Sequence, residues 1–380
     1  MPSDNLEVHL PIKKLLIGLC LTLVPLCLVG LYTITSAGRA MEATIGTHFK
    51  TIAQTTGSEV ATFFNDRVVA VGTLAADPTI IEAVAEANRG WANRSPASTE
   101  AYVQQMEKDW NTPAMDGYVR GMLTSRAGRL LTRWREMDKR FLRMTLTDAQ
   151  GAAIAATHKT MDYYQADEEY WQAIYADGRG AINVTDVLFD DATKSYYIGL
   201  GVPVMEEGTN RFIGTLDALI EVSSLFPLVH RIEVGETMRA TLVKNDGTII
   251  YTPGVSLSAK MQSEEFAWVR EEFATVSGRQ RGYTTAKLRN GTEVLIGYAD
   301  PGLVGAFPNL DWTMMVIQDT KFAFAPIRGV LRLMWFSVAL AIVLLTLLAV
   351  FFSLHRKREY THLEMEAPRV AAASGGAGMR

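Results

Sequence analysis

Residues 142–157 read LRMTLTDAQGAAIAAT, and residues 240–253 read ATLVKNDGTIIYTP. Each is a short apolar run, a turn containing glycine and a second short run, the pattern of strand, tight turn and strand. The second turn is Asn245-Asp246-Gly247, residue types that tolerate the positive φ such turns require. In the first strand Leu142, Met144 and Leu146 alternate with polar residues, so one face is predicted to be buried. Leu146 and Leu242 lie 96 residues apart. Downstream, YIGLGVPV (197–204) is echoed by LIGYADPG (295–302), with Ile198 and Ile296 98 residues apart. Each is followed by a loop and another strand, FIGTLDALIEV (212–222) and DWTMMVIQD (311–319). The reading is one antiparallel-sheet unit present twice, an α+β architecture and not a βαβ parallel sheet.

Upstream the period changes from two to that of a helix. Ile45, Phe49, Ile52, Val60, Phe63, Phe64, Val68, Val71 and Leu74 form an apolar stripe, predicting one long helix lying along both units. Asp77-Pro78 starts a second helix. NRSPAST (93–99) is predicted to be a loop, and 100–139 returns to a helical pattern.

Two further stretches carry no charge: Leu15–Thr35, of 21 residues, and Leu333–Leu354, of 22 residues. Each is long enough to cross a hydrocarbon core of about 30 Å. Lys13 and Lys14 precede the first, and Arg356, Lys357 and Arg358 follow the second. That distribution predicts a two-pass protein of the inner (cytoplasmic) membrane with both termini cytoplasmic and residues 37–329 outside. A cleaved signal peptide ending near Thr35-Ser36-Ala37 is the alternative, but the first apolar run exceeds the usual 7–15 residues. Cys20 and Cys27 both lie in the first span, so the outer region is expected to rely on a hydrophobic core and not on disulfides.

The expected organisation is a cytoplasmic N-terminus (1–14), a first span (15–36), a stalk helix with the helix after it (37–89), a membrane-distal unit (90–225), a membrane-proximal unit (226–325), a second span (331–354) and a short disordered cytoplasmic tail (355–380). No catalytic output domain fits in the residues after Leu354, so a separate signalling partner is expected. A net charge of −4 gives no basic excess, which argues against a nucleic-acid partner.

Four stretches carry a family resemblance: FFNDRVVAVGTLAADPTIIEAV (63–84), DYYQADEEYWQAI (162–174), YYIGLGVPV (196–204) and FIGTLDALIEVSSL (212–225). With a long anchored helix, two PAS-like units and a return span, the chain resembles the double Cache extracytoplasmic sensor domains of bacterial chemoreceptors and histidine kinases. The resemblance covers about residues 40–320. It implies binding of a small ligand in the membrane-distal unit, with the 162–175 segment as a rim over the pocket, and it implies a homodimer. Amino-acid-binding members carry an Arg in this rim and an Asp on the later strand. Here Asp167, Glu168 and Glu169 stand where the Arg would fall, and Leu219 stands at the Asp position, with Asp217 two residues earlier.

Alternation identifies the candidate floor. Leu216, Ala218, Ile220 and Val222 are apolar, as are Tyr196, Ile198, Leu200, Val202 and Val204, whereas the opposite parity carries Asp217, Tyr197, Gly199 and Gly201. Together with Arg143 and Thr145 on the first strand, the polar face reads as a small-ligand site, with Gly199 and Gly201 leaving room beside it. The bland alternative is a solvated sheet face. Acids among aromatic rings suit a cation or zwitterion. The candidate ligand-binding residues are Arg143, Thr145, Tyr163, Tyr164, Asp167, Tyr170, Trp171, Asp186, Tyr197 and Asp217.

Other functions find less support. The six histidines are scattered and show no paired metal spacing, so neither a catalytic metal nor another cofactor is expected. A calcium site at Asp186, Asp190 and Asp191 is better read as turn chemistry. Asn183-Val184-Thr185 and Asn290-Gly291-Thr292 match a glycosylation triplet. They are set aside in a chain read as bacterial. A ligand-free adaptor and an unrecognised hydrolase remain the alternatives to a sensor.

Overall fold

The computed structural model describes residues 12–190, 195–231, 237–255, 261–275 and 281–373. The chain divides into two compact units, Gly46–Phe322 and the pair Met1–Ile45 with Ala323–Arg380.

In chain order the helical half consists of α1 (Ile12–Ala75), α2 (Pro78–Arg89), α3 (Pro96–Asp109), α4 (Asp116–Thr124) and α5 (Arg126–Met137). The first sheet is built from β1 (Phe141–Asp148), β2 (Ala153–Ala156), β3 (Asn183–Val184), β4 (Leu188–Asp190), β5 (Ser195–Met205) and β6 (Phe212–Glu221), with α6 (Glu169–Tyr175) between β2 and β3. After α7 (Phe226–His230), the second sheet contains β7 (Arg239–Lys244), β8 (Ile249–Tyr251), β9 (Arg281–Lys287), β10 (Glu293–Ala299) and β11 (Trp312–Asp319), with α8 (Glu264–Thr275) between β8 and β9. The chain ends in α9 (Thr320–Ala323) and α10 (Ala325–Ala373).

Both sheets are antiparallel and have the same topology, β2-β1-β6-β5-β3 with β4 also on β5, and β8-β7-β11-β10-β9. Leu146 stands opposite Leu216, and Leu242 opposite Met314. The duplication seen in the sequence is therefore a duplication of fold. Its register differs by one residue on one strand. Ile296 pairs with Ile317, as Gly199 pairs with Leu219, so the counterpart of Ile296 is Gly199 and not Ile198. A slip of one residue exchanges the faces of a strand. A second correction concerns Leu142, which lies in a bulge between Phe141 and Arg143, so Phe141, opposite Ile220, enters the core in its place.

The buried face of the first sheet (Leu216, Ala218, Ile220, Leu200) is covered by α2 and α5, through Ile80, Val84 and Leu131. A Cβ at Gly214 would come 2.9 Å from Val84 Cγ1, so glycine is what lets α2 approach. Asp77 caps α2 by accepting from the Thr79 N–H, with Pro78 in the first turn. Ser95 and Pro96 start α3 in the same way, which places much of the 93–99 stretch in a helix instead of a loop.

From Phe49 to Phe64, α1 packs on the second sheet. A Cβ at Gly297 would come 2.3 Å from the Phe49 carbonyl carbon, and the Phe64 ring meets Trp312 edge-on at 5.2 Å. This buries Phe49, Ala53, Val60, Phe63 and Phe64. The apolar stripe of α1 is thus largely consumed within its own unit. The outward face of α1 carries Thr51, Ser58 and Thr62, whose hydroxyls donate to carbonyls one turn back.

In the other unit a Cβ at Gly30 would meet Val338 at 3.4 Å and one at Gly38 would meet Leu331 at 3.5 Å. Small residues at such positions allow apolar helices to pack closely. Helices α1 and α10 are both long and apolar enough to cross a membrane. The backbone of α10 stays helical to Ala373, where a disordered tail from 355 was expected. Leu363, Glu364, Met365, Glu366 and Ala367 are good helix formers that extend the ladder past the apolar run. The side chains of Arg356, Lys357 and Arg358, those of Lys13 and Lys14, and residues 374–380 lie outside the described residues.

Candidate functional site

The polar face of the first sheet is half covered. Helix α6 closes one end of it. Trp171, in the middle of α6, is buried; its indole N–H donates to Thr147 Oγ1 at 2.9 Å, and that hydroxyl shares a 2.8 Å hydrogen bond with Thr215 Oγ1. The ring stacks on Tyr175 at 5.1 Å and meets Phe212 edge-on. Ile174 fills the space above Gly201, where a Cβ would come 2.1 Å from its Cδ1. Gly201 therefore makes room for α6, and of the two glycines only Gly199 borders open space.

At the other end the face opens into a cavity of about 470 Å³. Its floor is Arg143 and Thr145 on β1, Asp217 and Leu219 on β6, and Tyr197 and Gly199 on β5. Its walls come from the 158–170 segment, with His158, Lys159, Asp162, Gln165, Glu168 and Tyr170, and from Thr185 and Leu188. Five candidate residues meet here: Arg143, Thr145, Tyr170, Tyr197 and Asp217.

The other five do not. Tyr163 is buried against Trp110 and Tyr118, at ring separations of 5.6 and 5.7 Å. Tyr164 faces a different cavity. Trp171 belongs to the packing just described. Asp167 is exposed and does not line the cavity, although its charge acts on Asp162 and Tyr170. Asp186 is taken by the second sheet, accepting from Lys244 Nζ at 2.6 Å and from the Trp312 indole at 3.1 Å. The aromatic cage expected from the sequence is thus reduced to Tyr170 and Tyr197. Among the described residues no group of His, Cys, Asp or Glu is placed to hold a metal ion. The Asp190 side chain and Asp191 lie outside them.

The rim is fixed by hydrogen bonds that link distant parts of the chain. Glu107 Oε2 accepts from the N–H groups of Tyr163 and Tyr164, at 3.1 and 2.8 Å. Lys159 donates to the Trp110 carbonyl at 2.9 Å. The Tyr170 hydroxyl donates to Gln165 Oε1 at 2.5 Å, and the Gln165 amide donates to Asp162 Oδ1. Asp162, Gln165, Glu168, His158 and Lys159 were missed as pocket residues because an irregular segment has no period by which sequence can assign a face. Only their proximity to the aromatic rim was a signal.

The electrostatics are uneven. Burial pushes the Asp217 carboxyl up to about 7, against the pull of the Arg143 guanidinium. No described residue gives Asp217 a hydrogen bond, whereas the carboxyls of Asp138, Asp148 and Asp186 each accept at least one. Asp162 and Glu168 are also raised, first by burial and then by acidic neighbours. Tyr170 is raised by burial and next by Asp217. His158 is lowered by burial, Arg135 and Arg143, which favours its neutral form. The arrangement is a cavity whose floor carries both the Asp217 carboxyl and the Arg143 guanidinium, with the acids Asp162 and Glu168 in its wall.

Among the described residues, the corresponding positions on the second sheet are filled by apolar side chains. Where Asp217 stands opposite Thr145, Met315 stands opposite Thr241. Where Gly199 and Leu219 pair, Ile296 and Ile317 pair, and Phe266 and Val269 of α8 bury them all.

A chain with two PAS-like sheets in series and a small-molecule cavity on the first has the build of an extracytoplasmic ligand-binding module. The chain belongs to the Cache domain family, whose model matches residues 37–327. Solved structures with a similar fold include the ligand-binding domain of the Pseudomonas aeruginosa PAO1 amino acid chemoreceptor PctB with L-Arg, at 18% identity and a TM-score of 0.42, covering 74% of this chain and 97% of that one. They also include that of PctC from the same organism with GABA, at 15% identity and a TM-score of 0.46, covering 72% and 99%. A third is that of the Pseudomonas fluorescens chemoreceptor CtaA with L-leucine, at 14% identity and a TM-score of 0.44, covering 76% and 100%. No curated protein matches the sequence.

Proposed function

We propose that this chain is a membrane-anchored extracytoplasmic sensor. It binds a small cationic or zwitterionic metabolite in the cavity of the first sheet and signals through its apolar helices to a separate partner. The reading is non-enzymatic: the ligand is held and released unchanged. The observation that carries it is Asp217, a half-buried carboxyl on the cavity floor to which no described residue gives a hydrogen bond. A carboxyl in that condition gains most from a cation supplied by a ligand. Asp162 and Glu168 strengthen the field, Tyr170 and Tyr197 offer ring faces, and Arg143 accommodates the carboxylate of a zwitterion. The basic residues flanking the two apolar runs support an inner-membrane location with both termini cytoplasmic and 37–329 outside.

The test is the melting temperature of the full chain in lipid nanodiscs against amines, quaternary ammonium compounds and α- and ω-amino acids. A ligand at 100 times its Kd adds about 2.7 kcal/mol to stability. Asp217→Asn should remove the shift while leaving the unliganded chain at least as stable, since it removes a carboxyl whose charged form is disfavoured by desolvation. A shift that persists in Asp217→Asn, or a panel in which only neutral or anionic compounds act, sinks the reading.

The homodimer belongs to the same proposal, but through the Thr and Ser face of α1 and not its apolar stripe. A Thr55→Cys chain should crosslink to its copy in membranes under mild oxidant. Absence of a crosslink there and at Thr62→Cys removes this interface.

A further inference from the structure

A second cavity, of about 670 Å³, lies between α3 and the outer side of the rim. It is bordered by Trp91, Arg94, Val103, Glu107, Gln150 and Tyr164. Helix α3, which forms one wall, has no buried residue along its 14 positions, although Tyr102, Val103 and Met106 turn partly inward. A helix so lightly packed can move outward at small cost.

The chemistry at the inner end is acidic and aromatic. Glu107 uses Oε2 for the N–H groups of Tyr163 and Tyr164. Its other oxygen has no hydrogen-bond donor among the described residues. Burial raises its pKa, and the charges acting on it, Asp162 and Asp167, raise it further. Arg94 does not neutralise this end. Its guanidinium is held 3.9 Å above the Tyr102 ring and 5.2 Å from that of Trp91. Tyr102 precedes Glu107 by five residues, about 7.5 Å of helix rise.

We propose that this cavity is a second binding site, for an organic cation with an apolar body: the ammonium group pairs with Glu107 beside the Tyr164 ring, and the body lies along Val103 and Trp91. A carboxylate with one free oxygen next to a ring face is the arrangement that recognises such cations. The site is distinct from the sheet cavity and does not depend on the function proposed for it. The two share a wall, because Tyr164 faces one while Asp162 and Gln165 face the other. An occupant that draws on Glu107 therefore acts on the segment that shapes the sheet cavity, and the two ligands should alter each other's affinity by equal factors.

The experiment titrates phenethylamine into the full chain in nanodiscs by calorimetry, using wild type, Asp217→Asn, and Asp217→Asn combined with either Glu107→Gln or Val103→Trp. Glu107→Gln keeps an acceptor for the two N–H groups, so the rim stays in place, and Val103→Trp fills the cavity from a half-buried position. Asp217→Asn should retain saturable binding. Glu107→Gln in that background, and Val103→Trp in that background, should each weaken it at least tenfold. Asp217→Asn without saturable binding overturns the second site, as does equal binding after the Glu107 and Val103 substitutions. Failure of the sheet-cavity reading looks different: the shift caused by its own ligand survives Asp217→Asn, whatever happens at Glu107.

Discussion

A cationic ligand of the sheet cavity is expected to bind about 100-fold more weakly at pH 5 than at pH values above 7. The pairing needs Asp217 ionised, and its carboxyl titrates at about 7 in the empty site. Each pH unit below that point costs about tenfold in affinity, the free energy of a one-unit shift being about 1.4 kcal/mol. Asp162 and Glu168 are raised as well, and their protonation adds to the loss at the acidic end. The ligand should keep its own charge throughout, which a quaternary ammonium group ensures. The sign for stability is opposite. A carboxyl raised on folding contributes stability that is fully present below its unfolded pKa of about 3.9 and is lost as pH rises through the folded value. The unliganded chain should therefore melt at progressively lower temperature from pH 5 to pH 8, while the increment added by ligand grows. Asp217→Asn should flatten the first trend and remove the second. An affinity constant between pH 5 and 8 would show that Asp217 does not bear the ligand's charge.

Trp312→Ala is expected to cost about 4–5 kcal/mol, a large part of the 5–15 kcal/mol that holds a typical domain. Trp312 is 1% exposed at the start of β11. It meets Phe64 of α1 edge-on and donates to Asp186 Oδ1, which also pairs with Lys244. Deleting the indole removes buried area, leaves a cavity at the seat of α1 and takes a donor from Asp186. Trp312→Phe should restore the ring contact but not the hydrogen bond, and should recover more than half of the loss. Denaturant unfolding of the full chain in mild detergent measures both. A cost under about 1 kcal/mol for Trp312→Ala would mean that the Asp186 tie and the Phe64 contact contribute little.

Much of this protein was determined by its sequence alone. The strands announced themselves by period two and their glycine turns, and α1 by its helical stripe. The duplication followed from the spacing of the hairpins. Alternation also assigned Arg143, Thr145, Tyr197 and Asp217 to one face, because in a strand the direction of a side chain depends only on parity. Tertiary structure decided the rest. Parity does not say which half of a face is covered, and it was Ile174 over Gly201 and Trp171 on Thr147 that closed one end and left Asp217 at the other. The rim has no period, so Tyr163, Tyr164 and Tyr170, close in sequence, point to a core, an outer cavity and the sheet cavity respectively. Asp186 looked like a pocket acid until Lys244, 58 residues further on, was folded against it. Local pattern sets where a side chain can point; which partner meets it there is set by chain segments that only folding brings together.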